Sequence, residues 1–166
     1  MKKQGSLYVV VVFAALIGYF TYQWWFNPTR MVKQRLGEIA EALSIPAGDQ
    51  PVARIARFAQ LRRYLADDIH VQVGTAPELT SRDLVLGAAS GWTPPATGAD
   101  VAFADVQIVL QTPTTAHAFV SVEITTQSPQ GQPELDSRDA SLNLELRDGA
   151  WVVTKAEAKE LPAVKR

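Results

Sequence analysis

Cysteine is missing from the whole 166-residue chain. Its absence removes disulfides, thiolate nucleophiles and cysteine-ligated metal together. It fits an oxidising or a reducing compartment equally. An excess of either charge is also missing: 16 Lys and Arg against 17 Asp and Glu leave a net charge of −1. No bulk attraction to nucleic acid or anionic lipid follows from that. No basic stripe interleaved with aromatics is present, so nucleic acid is not expected as a partner. Histidine occurs only at His70 and His117, with no recognised ligand spacing. No glycine-rich phosphate loop and no serine in a nucleophile elbow are found. No cofactor and no bound metal are expected.

What the sequence does hold begins with an apolar run. Lys2 and Lys3 precede LYVVVVFAALIGYFTYQWWF, Leu7 to Phe26, which carries no charge. About 20 residues at ~1.5 Å rise span the ~30 Å hydrocarbon layer. Tyr22, Trp24, Trp25 and Phe26 gather at the far end, where amphipathic rings favour the headgroup region. No small-x-small cleavage site follows; Tyr19, Phe20 and Tyr22 stand there instead. The run therefore reads as an uncleaved signal anchor rather than a signal peptide. The short dibasic start argues for the N-terminus inside, although Arg30, Lys33 and Arg35 past the run argue the reverse. The expected address is the bacterial inner membrane, single-pass, with the domain on the periplasmic side. The expected layout is a basic tail at 1–6, an anchor at 7–26, one domain at 27–160 and a polar tail at 161–166.

Helical spacing follows the anchor. Asn27 reads as an N-cap and Pro28 as the first helical residue, where its missing N–H costs nothing. Val32, Leu36, Ile39, Ala40 and Leu43 recur on one face, and Ser44 to Gly48 ends the helix. Asp49 is expected to cap a second helix with a broad apolar face of Val52, Ile55, Ala56, Phe58, Ala59, Leu61 and Leu65. Arg54, Arg57, Arg62 and Arg63 line the rest, either as an anion-binding face or as a solvated surface. Asp67-Asp68 is expected to end that helix. Ile69, Val71 and Val73 alternate as a short strand. Thr80 with Asp83 reads as a capping box opening a third helix from Ser81 to about Ala89. Pro94, Pro95 and Gly98 then mark a loop.

From there the period is two. Val101 and Phe103 face one way, but Val106, Ile108 and Leu110 face the other, so a β-bulge is expected near Ala104-Asp105. Ala116, Ala118, Val120, Val122 and Ile124 form the next strand, with His117, Phe119, Ser121 and Glu123 opposite. After a Ser128–Glu134 connection, Ala140 to Ala158 reads as a hairpin around Asp148-Gly149, residues that tolerate the positive φ of tight primed turns. Candidate pocket residues are His70, Trp92, Phe103, Asp105, His117, Phe119 and Glu123. The histidines offer acid–base or metal chemistry, Asp105 and Glu123 offer a buried base, and Trp92 and Phe103 offer apolar walls. Asp67-Asp68 is not read as a catalytic dyad.

The segments YLADDIHVQVG (Tyr64 to Gly74), TSRDLV (Thr80 to Val85) and DSRDASLNLELRDGAWVVTKAEA (Asp136 to Ala158), in the order helix, helix, strand, helix and four long strands, resemble the nuclear transport factor 2-like superfamily, the cystatin-like α+β cones. In particular the chain looks like bacterial members with one N-terminal anchor. The likeness runs from Met31 to Glu160. It implies an α+β fold, three helices packed on a curved antiparallel β-sheet, and a pocket at the open end. The superfamily includes isomerases, dehydratases and assembly domains, so the fold does not choose an activity. Matching Ala66-Asp67-Asp68 to the same segment of ketosteroid isomerase places that enzyme's base on Val73, its tyrosine near Leu36 and its second aspartate on Leu142 or Asn143. None of these can do its job. The expected role is a membrane-anchored binding or assembly domain, an accessory subunit of a membrane complex. Its expected partners are the bilayer, other subunits or a second copy, and a small apolar ligand in the cone. The alternative is an isomerase or dehydratase using the cone pocket.

Overall fold

The structure, a computed structural model, describes residues 11–19, 21, 27–93, 95–128 and 130–159. Half of the expected anchor lies outside them, including Tyr22, Trp24, Trp25 and Phe26, and so do the tails at 1–6 and 161–166. Residues 11–19 and 21 are helical and exposed. Among the described residues, no helix is long and apolar enough to cross a membrane.

The domain opens with α1, Pro28–Leu43. Asn27 Oδ1 accepts the Thr29 N–H at 3.0 Å, and Pro28 takes the first helical position, so cap and helix start fall where the sequence puts them. Val32, Leu36, Ile39, Ala40 and Ala42 are buried. Helix α2, Pro51–Tyr64, follows. Its cap is Gln50 rather than Asp49, and no side chain bonds there; the Asp49 carboxylate turns to arginines further along the helix. The chain then passes directly from α2 into β1, Leu65–Val73. Leu65, Asp67 and Asp68 therefore belong to a strand and not to the end of a helix. Helix α3, Arg82–Gly91, is capped by Ser81, whose Oγ accepts the Leu84 N–H at 3.4 Å. The cap is thus Ser81 rather than Thr80, and the expected Thr80–Asp83 capping box does not form, because Leu84 at the third helical position has no side-chain acceptor to return the bond.

Four long strands complete the fold: β2 Ala99–Thr112, β3 Thr115–Gln127, β4 Pro133–Arg147 and β5 Ala150–Ala158. The sheet order is β1-β5-β4-β3-β2. The sheet is not wholly antiparallel, because β1 pairs with β5 in parallel. The reason is topological: β1 leaves α2 at the same end of the sheet as β5 begins, and α3 with β2, β3 and β4 carries the chain back round. Asp148 and Gly149 have φ of 52° and 78°, the primed-turn geometry, and the expected hairpin closes with Ala140 opposite Ala158. The expected bulge is present. The β2–β3 register shifts between Ala104 and Gln107, and Asp105 takes φ of 48°. A second bulge, at Thr154 in β5, shifts the β4–β5 register after Asn143. It turns Trp151 and Val153 inward and Lys155 and Glu157 outward.

The helices cover one face of the sheet. Val32, Leu36 and Ile39 of α1, Leu61 and Tyr64 of α2, Ala116, Ala118 and Val120 of β3, Leu142 and Leu144 of β4, and Trp151 and Val153 of β5 form one buried cluster. Two ion pairs fix β1 to its surroundings: Asp67 pairs with Arg82 of α3, and Asp68 with Arg147 of β4. Each aspartate has its own arginine, which accounts for the adjacent carboxylates structurally.

Helix α2 turns inward only part of the broad face expected for it, Phe58 and Leu61. Val52 and Ile55 are 78% and 70% exposed, and Ala56 and Ala59 are exposed beside them. The inward face is Arg54, Arg57, Phe58, Leu61 and Tyr64.

Candidate functional site

A cavity of about 240 Å³ opens where the C-terminal end of α1 meets α2 and the first half of β2. Ala42 and Leu43 of α1, Ile45 of the following loop, Phe58 and Leu61 of α2, Ala89 and Trp92 at the end of α3, and Val101, Val122 and Ile124 of the sheet line it. The wall is alkyl and aromatic except for two side chains, Arg54 and Arg57.

The loop between α1 and α2 is held against the sheet by backbone pairing. Ile45 and Ala99 exchange N–H···O bonds of 2.7 and 2.8 Å. Ser44 Oγ accepts the Val101 N–H at 2.9 Å. The approach is this close because Gly98, at φ of 83°, carries no Cβ to meet the backbone of Ile45, Pro46 and Ala47. That clamp places Ile45 in the cavity wall.

The two guanidinium groups are held by Asp49. Its side chain is 5% exposed, and its Oδ2 receives Arg57 Nη2 and, at 3.4 Å, Arg54 Nε. Arg57 and then Arg54 hold its carboxyl below the usual carboxylate value, against the opposing effect of burial. The other oxygen, Oδ1, is buried and has no hydrogen-bond partner. Arg57 is itself 18% exposed and Arg54 39%. One buried carboxylate thus faces two cations at the cavity wall.

The seven candidate pocket residues do not share one place. Trp92 lines the cavity. Phe103 packs against the core. The other five stand on the opposite, outward face of the sheet or at its bulge. There, cross-strand register aligns His117 of β3 with Asn143 of β4, Lys155 of β5 and His70 of β1. His117 Nδ1 lies 2.5 Å from Asn143 Oδ1, and its ring sits tilted on Phe119 at 4.4 Å between centroids. His70 Nδ1 lies 3.0 Å from Glu78 Oε1. Asp105, His117 and Phe119 share the lining of a broad outer groove of about 1040 Å³, with Ser121, Asp139 and Glu157 among its other members. Glu123, opposite Ser137 in register, does not line it. The positions matched to the isomerase are distributed likewise. Leu36 and Leu142 fill the core, Val73 is 41% exposed at the end of β1, and Asn143 serves His117. The cavity begins six residues beyond Leu36 along α1, or about 9 Å at ~1.5 Å per residue.

Sequence reasoning placed Arg54 and Arg57 only in a general arginine set and gave Asp49 a different task. The signal for them is Asp49 standing just ahead of a helix whose first two turns carry Arg54 and Arg57 three residues apart, on one face.

No protein-family model matches the chain, and no curated protein matches it. Solved structures do. A nuclear transport factor 2-like protein with a cystatin-like fold from Novosphingobium aromaticivorans superposes with a TM-score of 0.69 at 12% identity, over 89% of this chain and 91% of that one. A candidate dehydratase of the same family from Streptomyces avermitilis gives 0.63 at 14%, over 82% and 99%. A candidate calcium/calmodulin dependent protein kinase II association domain from Xanthomonas campestris gives 0.58 at 12%, over 82% and 86%. At these identities the likeness is one of fold: the chain has the cystatin-like α+β cone. Neighbours named for catalysis and for association stand side by side, so the fold does not choose between the two.

Proposed function

We propose that this domain binds and positions rather than catalyses, as the folded part of a bacterial inner-membrane accessory subunit anchored by Leu7 to Phe26, with the domain on the periplasmic side. The observation that carries this reading is the cavity wall. Proton-transfer chemistry needs a base within hydrogen-bond reach of the substrate and a donor facing the developing charge. The cavity offers alkyl groups, two aromatic rings and two guanidinium groups. Arginine stays protonated at any working pH and is no base. Asp49, the carboxylate paired with both arginines, is held ionised by Arg57 and Arg54, which lowers its basicity further. The exposed strip of Val52, Ile55, Ala56 and Ala59 on α2 is apolar surface of the kind a neighbouring subunit covers.

Native mass measurement of the full chain, gently extracted from membranes, tests the reading. A stoichiometric assembly with other membrane subunits or with a second copy is expected, weakened by Ile55→Asp. A monomer insensitive to that substitution would overturn it.

A second reading, an isomerase or dehydratase, has one observation in its favour: His117 and Asp105 line a common outer groove. A turnover lost in His117→Ala and retained in Arg54→Gln would establish that reading in place of the first.

A further inference from the structure

We infer that the cavity between α1, α2 and the sheet holds a small amphiphile with a single carboxylate, its apolar body on Leu43, Ile45, Trp92 and Val101 and its carboxylate on Arg54 and Arg57. The inference rests on the cavity being a binding site and deepens that reading by naming the ligand's chemistry.

Charge is the first argument. Among the described residues, Asp49 is the one carboxylate in contact with either guanidinium, so one of the two positive charges is left unpaired at the cavity wall; Glu41 and Asp100 border a neighbouring cleft with Arg57 but pair with neither arginine. A partly buried cation gains from a partner, and one further monoanion supplies it. A dianion such as a phosphate monoester would reverse the sign. Hydrogen bonding is the second argument. Each guanidinium carries five N–H donors. Among the described residues, Arg54 Nε donates to Asp49 Oδ2 and Arg57 forms an ion pair with the same oxygen, while Arg57 Nη2 is buried without a well-formed hydrogen bond. Their remaining donors suit the fork geometry in which a carboxylate is received. Asp49 orients the pair and keeps both side chains on the cavity side of α2.

Size and polarity are the third. A volume of about 240 Å³ takes about eight groups of water size, at ~30 Å³ each. Hexanoate has that many non-hydrogen atoms. Apart from the guanidinium groups the wall offers nothing to a polar body, so a sugar or nucleotide would lose its hydrogen bonds on entry. A hydrocarbon chain or ring loses none.

The test uses methyl-labelled full chain in lipid nanodiscs, titrated with hexanoate and, separately, with hexanol. The methyl resonances of Leu43, Ile45 and Val101 report the cavity; those of Val73 and Val109, far from it, report partitioning into lipid. Hexanoate should shift the cavity methyls saturably, and hexanol should bind at least tenfold more weakly. Arg54→Gln should reduce hexanoate affinity about ten- to a hundredfold, the range for hydrogen bonds to a charged group, and leave hexanol unchanged. Arg54→Lys, which keeps the charge, should lose less than Arg54→Gln. Equal affinity for hexanoate and hexanol in the unaltered chain would overturn the anionic subsite. Cavity methyls unmoved by either probe would overturn the cavity as a ligand site, while the assembly reading would still stand or fall on the mass measurement.

Discussion

Replacing Gly98 with alanine should destabilise the domain by two separable effects, and the structure gives a control for one of them. Gly98 has φ of 83° and Gly131 has φ of 78°. An alanine at either site enters the left-handed region, at a cost of about 1–2 kcal/mol. Beyond that the sites differ. At Gly131 a Cβ would meet nothing within 4 Å. At Gly98 it would lie 2.8 Å from Ala47 N, 2.9 Å from Pro46 C and nearer still to Ile45 O. All three are backbone atoms, which cannot rotate away as a side-chain tip can. The loop must lift, and the Ile45–Ala99 pair of hydrogen bonds lies in its path. Losing both adds about 0.5–1.5 kcal/mol each. The expected totals are about 2–5 kcal/mol for Gly98→Ala and about 1–2 for Gly131→Ala. Urea unfolding followed by circular dichroism measures both. With a slope of about 2 kcal/mol/M, the midpoints should fall by about 1–2.5 M and 0.5–1 M respectively. Equal midpoints would refute the close approach and, with it, the account of how Ile45 is held in the cavity wall.

Three further outcomes follow from the same packing. Asn27→Ala should cost about 1 kcal/mol through loss of the α1 cap, seen as a lower unfolding midpoint with an unchanged slope. Leu36→Ala, at a side chain 1% exposed, should cost about 2–5 kcal/mol, whereas Ile55→Ala should stay within about 0.5 kcal/mol; similar losses would mean that α2 is turned the other way. Asp49 has its carboxyl pKa lowered by Arg57 and Arg54, so its contribution is present above the unfolded value near 3.8 and is lost as pH falls through the lower folded value. Asp49→Asn should therefore be less stable than the unaltered chain at neutral pH and converge with it below pH 3.8, as read from thermal unfolding across a pH series.

The strands were legible because their signals are local and redundant. In β3 the buried Ala116, Ala118 and Val120 alternate with His117, Phe119 and Ser121, and one face must be apolar for the sheet to cover a core. A change of phase in β2 can be met only by an extra residue, so the bulge at Asp105 was readable too. The parallel pairing of β1 with β5 was not. It depends on where the chain re-enters the sheet after a long excursion, and no residue of β1 differs according to the direction of its neighbour.

Helix α2 shows why the site itself was hard to read. Its sequence, PVARIARFAQLRRY, is apolar on two sides at once: Val52, Ile55 and Ala59 on one, Phe58, Leu61 and Tyr64 on the other. Periodicity alone leaves the helix free to turn, and the usual rule that arginines face water favours the first side. Two facts decide for the second, one within the helix and one outside it. The aromatic Phe58 and Tyr64 have more surface to bury than valine and alanine, and Arg35 of α1 stacks on the Tyr64 ring at 4.7 Å. Asp49, five residues before Arg54, meets part of the cost of turning both arginines inward, since a partly buried guanidinium is tolerable with a carboxylate in place and an aliphatic stem to pack. The same rotation leaves Val52 and Ile55 in the open and puts cations on an apolar wall. Both departures come from one choice of helix face. The opposite choice would bury an isoleucine and solvate both arginines, but it would expose the larger Phe58 and Tyr64. The face the chain adopts gives it a charged cavity on the inside and an apolar strip on the outside, the two features that the proposed binding and assembly role would use.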